Sequence, residues 1–214
     1  MNGLFVYCEI NDDGQVADVS LELLSKGKKL ASELKCTLEA VVIGSNLDGV
    51  EEELYSFGVD VVHIADDDKL YPYSTLPHAA IVTKLFTEEK PQVALYGATS
   101  VGRDLAPRIA SALKCGLTAD CTSLEIGSHT ENKTGKVYDN LLYQIRPAFG
   151  GNIIATIINP ETKPQMATVR EGVMKKEIFN ANHKGIVKKI NVGDYVDDSD
   201  FIVDIIERHL EERK

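Results

Sequence analysis

Short apolar runs alternate with amphipathic stretches over the first half of the chain. Four runs predict buried strands, because strands of a parallel sheet are covered on both faces and consist almost entirely of apolar residues. These runs are Leu4–Ile10, Thr37–Gly44, Val59–Ile64 and Gln92–Gly97. Apolar residues at helical spacing predict helices between and after them, over Val19–Leu34, over Asp48–Phe57, from Ser74 or Thr75 to just before Lys90, and after Gly97. This alternation predicts βαβ units and therefore a parallel sheet.

The pattern changes after residue 115. Strand-like segments follow with no helical spacing between them, over Leu117–Ile126, Lys136–Ile145, Asn152–Ile158 and Gln165–Arg170. They predict an antiparallel strand extension that continues the same sheet. From residue 171 the chain is highly charged, with two apolar islands, Gly185–Ile190 and Phe201–Ile206, that could form strands. We therefore expect an α/β domain over residues 1–170 and a charged tail or linker over residues 171–214.

Net charge and composition limit the kinds of binding partner and the cellular compartment that we expect for this chain. The 214 residues carry a net charge of −10, which argues against nucleic acid or an anionic membrane as the main partner. No stretch approaches the ~20 apolar residues that span a bilayer, so we expect no membrane insertion. The first residues lack the basic region and apolar core of a signal peptide. Four cysteines without a CxxC motif favour a reduced, cytoplasmic compartment.

The strongest candidate for a site is the turn Gly97-Ala-Thr-Ser-Val-Gly-Arg-Asp-Leu-Ala-Pro-Arg108, which joins a strand to a helix N-terminus. Such turns present backbone N–H groups to ligands in α/β proteins. In a functional interpretation, an anion or nucleotide would contact the turn and its arginines. The candidate residues for cofactor binding are Gly97, Thr99, Gly102 and Arg103.

A structural interpretation of this turn competes with the functional one. Arg103 and Asp104 would fix the turn and cap the helix, and Arg108 would reach an interface. Phosphate-binding turns of similar topology generally have a longer glycine-rich motif that ends in Gly-Ser or Gly-Thr. Leu105 and Pro107 occupy that region here, so we favour structure or interface over nucleotide binding.

The remaining polar residues predict neither a metal site nor a catalytic one. The histidines are scattered and lack metal-ligand spacing. No serine stands in the Gly-x-Ser-x-Gly turn of a nucleophile, and no nucleophile and base can be paired as in a small hydrolase. We therefore predict no catalytic residues and a carrier rather than an enzyme.

Three ordered blocks resemble one family. The turn Gly97–Arg108 with Gly116-Leu-Thr-Ala-Asp-Cys121, then Arg146-Pro-Ala-Phe-Gly-Gly-Asn152, then Pro164-Gln-Met-Ala-Thr-Val-Arg170 resemble the α subunit of electron transfer flavoprotein. The resemblance implies an adenine-nucleotide α-hydrolase-like fold, which is a Rossmann-like, three-layer α/β architecture. It also implies a heterodimer with a β subunit, and we expect Arg108, Arg146 and Phe149 at the interface. An equal alternative for Arg146-Pro-Ala-Phe-Gly-Gly151 is a strand-to-strand turn with an ordinary exposed arginine.

The same resemblance implies a role in electron transport. The complex would accept electrons from acyl-CoA or related dehydrogenases, as in fatty-acid β-oxidation, and pass them to a membrane oxidoreductase, while some relatives bifurcate electrons from NADH. In this family the FAD site lies mostly in a C-terminal domain with a Ser-Gly-Gly-Arg-Gly-type turn, which this sequence does not contain. We expect FAD in the full heterodimer and none on this chain alone. The main alternative is a free-standing adenine-nucleotide-binding regulatory domain, which would need neither the antiparallel extension nor the two later blocks.

Overall fold

Strands and helices alternate over the first half of the molecule, as predicted. The computed structural model describes residues 2–151, 153–203 and 205–207. The strands are β1 (Leu4–Cys8), β2 (Leu38–Gly44), β3 (Val61–Asp66), β4 (Val93–Gly97), β5 (Leu117–Cys121), β6 (Ser123–Thr130), β7 (Val137–Ala148), β8 (Ile153–Ile157), β9 (Gln165–Val169) and β10 (Ile186–Lys189). The helices are α1 (Asp18–Leu34), α2 (Val50–Ser56), α3 (Thr75–Glu89), α4 (Ser100–Leu113) and the short α5 (Val192–Tyr195).

Seven strands form one parallel sheet in the order β10-β3-β2-β1-β4-β9-β5. All residues of β1, β2, β4 and β9 are buried, which explains their largely apolar sequences. Apolar residues of α1 and α2 form the core on one face of the sheet, and those of α3 and α4 form it on the other. The predicted three-layer α/β fold with βαβ units is confirmed. Among the described residues, no helix has the length and apolar character needed to cross a membrane.

The prediction that the antiparallel extension continues the main sheet is wrong. The segment predicted as one strand over Leu117–Ile126 breaks at Thr122, and its two halves belong to different sheets. The first half, β5, pairs in parallel with β9, and β9 pairs in parallel with β4. The second half, β6, forms a separate antiparallel sheet in the order β6-β7-β8.

The separate three-stranded sheet takes the place of a crossover helix. Parallel neighbours need a connection of a dozen or more residues, and this is usually a helix. Here the chain leaves β5, runs through β6, β7 and β8, and returns to insert β9 between β4 and β5. Leu124 of β6 and Leu142 of β7 are fully buried and pack in the same core as α1. The small sheet is therefore anchored to the main body by its inner face.

The charged segment after residue 170 also contributes to the main sheet. The apolar island at Gly185–Ile190 forms β10, which pairs in parallel with β3 at the edge. The second island forms no strand in its described residues, and its first residue, Phe201, is the last residue of a 3-10 turn over Asp198–Phe201. The division of the chain at residue 170 stays a prediction.

Glycine at position 27 allows α1 to lie close against the sheet. A Cβ atom on Gly27 would meet Leu38 Cδ1 at 2.9 Å and Leu4 Cδ2 at 3.3 Å. Any larger side chain would force these leucine side chains or the helix to shift, because interiors are close-packed.

A buried ionisable pair links β2 to β3. Glu39 Oε2 lies 2.7 Å from His63 Nε2, and Thr37 Oγ1 donates to Glu39 Oε1 at 2.8 Å. The ring of His63 stacks on Phe5 with centroids 5.2 Å apart. Burial raises the pKa of Glu39, but the hydrogen bonds from His63 and Thr37 outweigh it and leave that pKa below its usual value.

We expect Glu39→Gln to lower the free energy of unfolding by about 1–3 kcal/mol at neutral pH, because it breaks a buried, charge-assisted hydrogen bond. A carboxyl with a lowered folded-state pKa stabilises the fold above its unfolded pKa of about 4.3 and loses that effect as the pH falls through the folded value. The difference in the free energy of unfolding between the wild type and Glu39→Gln should therefore become smaller below about pH 4. Urea denaturation across pH measures it, with the exposed Glu33→Gln as the matched control. A pH-independent difference would contradict this account.

Candidate functional site

The turn after β4 lies at the point where the sheet reverses its strand order. Strands β2 and β3 lie on one side of β1, and β4 lies on the other. Ligands of open α/β sheets bind in the crevice at the carboxyl ends of the strands on either side of such a point. The candidate turn residues Gly97, Thr99, Gly102 and Arg103 therefore lie where this fold places its ligands.

A very close backbone approach defines this turn. Thr99 is the N-cap of α4, and its Oγ1 accepts a hydrogen bond from the Gly102 N–H at 3.0 Å. A Cβ atom on Gly102 would lie 1.9 Å from the carbonyl oxygen of Gly97, which is impossible for any other residue without moving the backbone. The first turn of α4 is therefore held directly against the end of β4.

The residue that fills the crevice is Glu9, immediately after β1, which the sequence analysis did not single out. Thr99 Oγ1 donates to the Glu9 carboxylate, at 2.8 Å from Oε1 and 2.9 Å from Oε2. A Cβ built on Gly97 would lie 3.1 Å from Oε1, and one on Gly102 would lie 3.5 Å away. The backbone N–H of Glu9 donates to Ser20 Oγ at 2.9 Å, which fixes it to α1.

Burial dominates the ionisation of Glu9, which is only 9% exposed. It raises the pKa of this carboxyl to about 7, against the lowering effect of the Thr99 hydrogen bond, and Glu171 raises it further. An acidic side chain therefore lies beside the helix N-terminus, where a nucleotide phosphate would bind in a doubly wound fold. This geometry favours the structural interpretation of the turn.

The two arginines of the motif pair with carboxylates of their own chain. Arg103 Nη2 lies 3.0 Å from Asp120 Oδ1 and joins α4 to β5. Arg108 Nε lies 3.8 Å from Asp104 Oδ1, one helical turn away. Asp104 also accepts hydrogen bonds from Tyr73 and Thr75. Both arginine side chains are more than half exposed, so these ion pairs contribute little to stability.

The other predicted interface residues lie on the small sheet. Arg146 is in β7, opposite Ala155 of β8, and is half-buried. Burial raises the pKa of the neighbouring Cys121 thiol to about 11, and the charge of Arg146 opposes that shift. Phe149 begins the short turn that joins β7 to β8, and its side chain lies outside the described part of the structure. Arg146 and Phe149 thus lie on other elements than the Gly97–Arg103 turn, although Cys121 beside Arg146 directly follows Asp120, the partner of Arg103.

A cleft of about 340 Å³ opens beside the turn, over the carboxyl ends of β1 and β2. Its lining includes Tyr7, Glu9, Tyr71, Tyr73, His78 and Ser100. Tyr7 OH lies 2.8 Å from His78 Nδ1, and His78 Nε2 lies 3.0 Å from the carbonyl oxygen of Leu70. Burial lowers the pKa of His78 to about 4, so the ring is neutral, with Nε2 donating to Leu70 and Nδ1 accepting from Tyr7.

The cleft lacks the groups of a metal centre. Within the described ranges, no three His, Cys, Asp or Glu side chains are grouped so that they could hold a metal ion. All four cysteines are free thiols. The distinctive chemistry of this region is a buried, titrating carboxyl among aromatic rings.

We expect Gly102→Ala to lower the free energy of unfolding by about 3 kcal/mol, because the added methyl group overlaps the Gly97 carbonyl oxygen. Gly193→Ala in α5 is the matched control, since a Cβ there has nothing within 4 Å. Chemical denaturation of both variants tests this. Equal stabilities would show that the close approach is not required.

We expect Glu9→Gln to stabilise the protein by about 2–3 kcal/mol at pH 8 and to have little effect near pH 4. A carboxyl whose folded pKa is raised opposes folding as it loses its proton. The free-energy cost of the ionised Glu9 side chain therefore grows as the pH rises from the unfolded-state pKa of about 4.3 through the folded-state pKa. Thermal or urea denaturation at several pH values measures this trend. A difference in the free energy of unfolding between Glu9→Gln and the wild type that does not change with pH would refute it.

Comparison with known proteins identifies the family. Residues 4–195 match the family model described as Electron transfer flavoprotein domain. The chain is 45% identical over 179 residues to the electron transfer flavoprotein subunit alpha of Thermoanaerobacterium thermosaccharolyticum, covering 84% of this chain and 51% of that protein. It is 47% identical over 174 residues to the subunit alpha of Clostridium acetobutylicum, covering 81% and 49%, and 41% identical over 207 residues to that of Megasphaera elsdenii, covering 96% and 57%. The chain spans about half the length of these curated relatives. It therefore belongs to the electron transfer flavoprotein family and is a relative of its α subunits.

Proposed function

We propose that this chain is the N-terminal α/β domain of an electron transfer flavoprotein α subunit and acts there as a scaffold. It joins a β subunit, and the two together support the domain that holds FAD. The flavin supplies one- or two-electron chemistry when bound, and this chain supplies position and packing. The whole complex is a cytoplasmic electron carrier rather than an enzyme, and this chain alone holds no flavin.

The observation that carries this proposal is the exposed outer strand of the small sheet. Strand β8 is at its edge, and each of its residues is exposed or half-buried. Ile153 is 52% exposed and Ile154 is 73% exposed. An apolar edge strand offers unpaired backbone groups and apolar surface, and such an edge is a site for pairing with another chain.

The predicted interface residues lie next to this edge. Arg146 is on the strand paired with β8, and Phe149 is in the turn that leads into it. An aromatic residue and an arginine beside exposed isoleucines are the residue types that dominate binding energy at protein interfaces. In this proposal β8 and its flanking turn bind the β subunit, while Arg108 on α4 forms a secondary contact.

The proposed electron donors and acceptor follow from the family. Electrons enter from acyl-CoA or related dehydrogenases, as in fatty-acid β-oxidation, and leave to a membrane oxidoreductase. The negative surface of the chain, with a net charge of −10, suits partners with basic docking surfaces. A regulatory domain that binds adenine nucleotides is not favoured, because the Glu9 carboxylate lies beside the helix N-terminus where the phosphate would bind.

We expect Ile154→Lys to weaken association with the β subunit of the same organism about thirtyfold, because it places a charge in an apolar contact worth about 2 kcal/mol. Arg146→Ala should weaken it as well. The matched control is Ile178→Lys, at an isoleucine that is 66% exposed and lies outside the small sheet.

The measurement is co-purification of the tagged α chain with the β subunit, followed by a titration of the purified subunits. Equal heterodimer yields for Ile154→Lys and Ile178→Lys would place the interface elsewhere. A flavin absorbance in stoichiometric amount on this chain alone would refute the scaffold role.

A further inference from the structure

We propose that the cleft over β1 and β2 is a binding site for a small aromatic cation, with the Glu9 carboxylate as its counter-charge. This proposal is independent of the electron-carrier role, since it concerns a different surface from the small sheet. It rests on the hydrogen-bond acceptor sites of the Glu9 carboxylate, the aromatic walls of the cleft and the sign of the charges around it.

The Glu9 carboxylate has capacity for further hydrogen bonds. An ionised carboxylate has about four acceptor sites. Among the residues that the structure describes, the Thr99 hydroxyl is the one side chain found to donate to it, and it brings a single proton shared between the two oxygens. A carboxylate that is nine-tenths buried with so few donors is costly in its charged form. An ammonium group in the cleft would supply the missing donors and the opposite charge.

Aromatic rings line the cleft around this carboxylate. The Tyr7 hydroxyl is hydrogen-bonded to His78 Nδ1, and the Tyr73 hydroxyl donates a hydrogen bond to Asp104 at 2.8 Å. The Tyr7 ring is buried and stacks on Tyr96, so Tyr73 and Tyr71 supply the accessible aromatic surface of the cleft. Tyr71, 41% exposed, lies at the mouth. A carboxylate among tyrosine rings is the combination that recognises organic cations.

The charges around the cleft select against anions. None of its described lining residues is a lysine or an arginine, and His78 is neutral. Asp12 at the mouth adds a second carboxylate. A phosphate that approached the first turn of α4 would meet the Glu9 carboxylate and no cationic side chain of this lining. In nucleotide-binding proteins of this fold the crevice binds the anionic phosphate, whereas in this protein the charges of the crevice favour a cation.

The size of the cleft limits the ligand. A volume of about 340 Å³ is at the lower end of small-molecule sites, which suits one ring with a short cationic arm. Benzylammonium is the probe, benzyl alcohol its neutral analogue and benzoate its anionic one. We expect benzylammonium to bind with a Kd of about 1 mM, a range that is accessible to a ligand of this size.

Isothermal titration calorimetry on the full chain compares the three probes. The proposal expects benzylammonium to bind at least about ten times more tightly than benzoate. Glu9→Gln should weaken its binding by about tenfold or more, and Glu33→Gln should leave it unchanged. Tyr71→Leu, at the mouth and away from the core, should weaken it several-fold and tests the aromatic wall independently of Glu9.

The pH provides an independent readout. Binding of the cation favours the charged carboxylate, so the affinity should rise between about pH 6 and pH 8 in the wild type and stay constant in Glu9→Gln. Among the described residues, the other titratable groups around Glu9 and in the cleft lining are Tyr7, Cys8, Asp12, Tyr71, Tyr73, His78 and Glu171. Burial raises the pKa of Tyr7 and of Cys8, so these two stay neutral in this range. Equal affinities for benzylammonium and benzoate, or no binding below about 10 mM, would overturn the proposal.

Discussion

The contact between the first turn of α4 and the end of β4 constrains the whole centre of the molecule. Because Gly102 has no Cβ, its backbone can pack against the Gly97 carbonyl, and Thr99 then caps the helix. The same Thr99 hydroxyl reaches across to Glu9 at the end of β1. One short turn thereby fixes the two strands on either side of the switch point, and every layer of the fold is built outward from them.

The chemistry at this point differs from that of a nucleotide-binding crevice because of one acidic side chain. A helix N-terminus favours negative charge, and in nucleotide-binding folds a phosphate supplies it. Here the carboxyl comes from the chain itself, where it is buried and accepts a hydrogen bond from the Thr99 hydroxyl. Burial outweighs that hydrogen bond and keeps the pKa of Glu9 near 7. The crevice is left with a proton-dependent charge and aromatic walls, without a basic residue among its described lining.

The small antiparallel sheet has a buried inner face and an exposed outer strand. Its inner face, with Leu124 and Leu142, completes the core beside α1. Its outer strand β8 exposes Ile153 and Ile154. Because the connection from β5 to β9 runs through this sheet rather than a helix, the fold gains an edge that can pair with another chain without disturbing the parallel sheet.

The sequence by itself determined the βαβ half, with strand and helix ends within about two residues of the observed ones, because buried parallel strands and amphipathic helices leave local patterns that need no knowledge of distant contacts. The family resemblance came separately, from three ordered motif blocks. Only the tertiary structure decided that β9 inserts between β4 and β5, since strand order depends on pairing between segments far apart in the chain. The role of Glu9 was invisible for the same reason. A lone glutamate after a strand carries no motif, and its burial and raised pKa arise only in the folded protein, where Thr99, 90 positions away, donates a hydrogen bond that partly offsets the effect of burial.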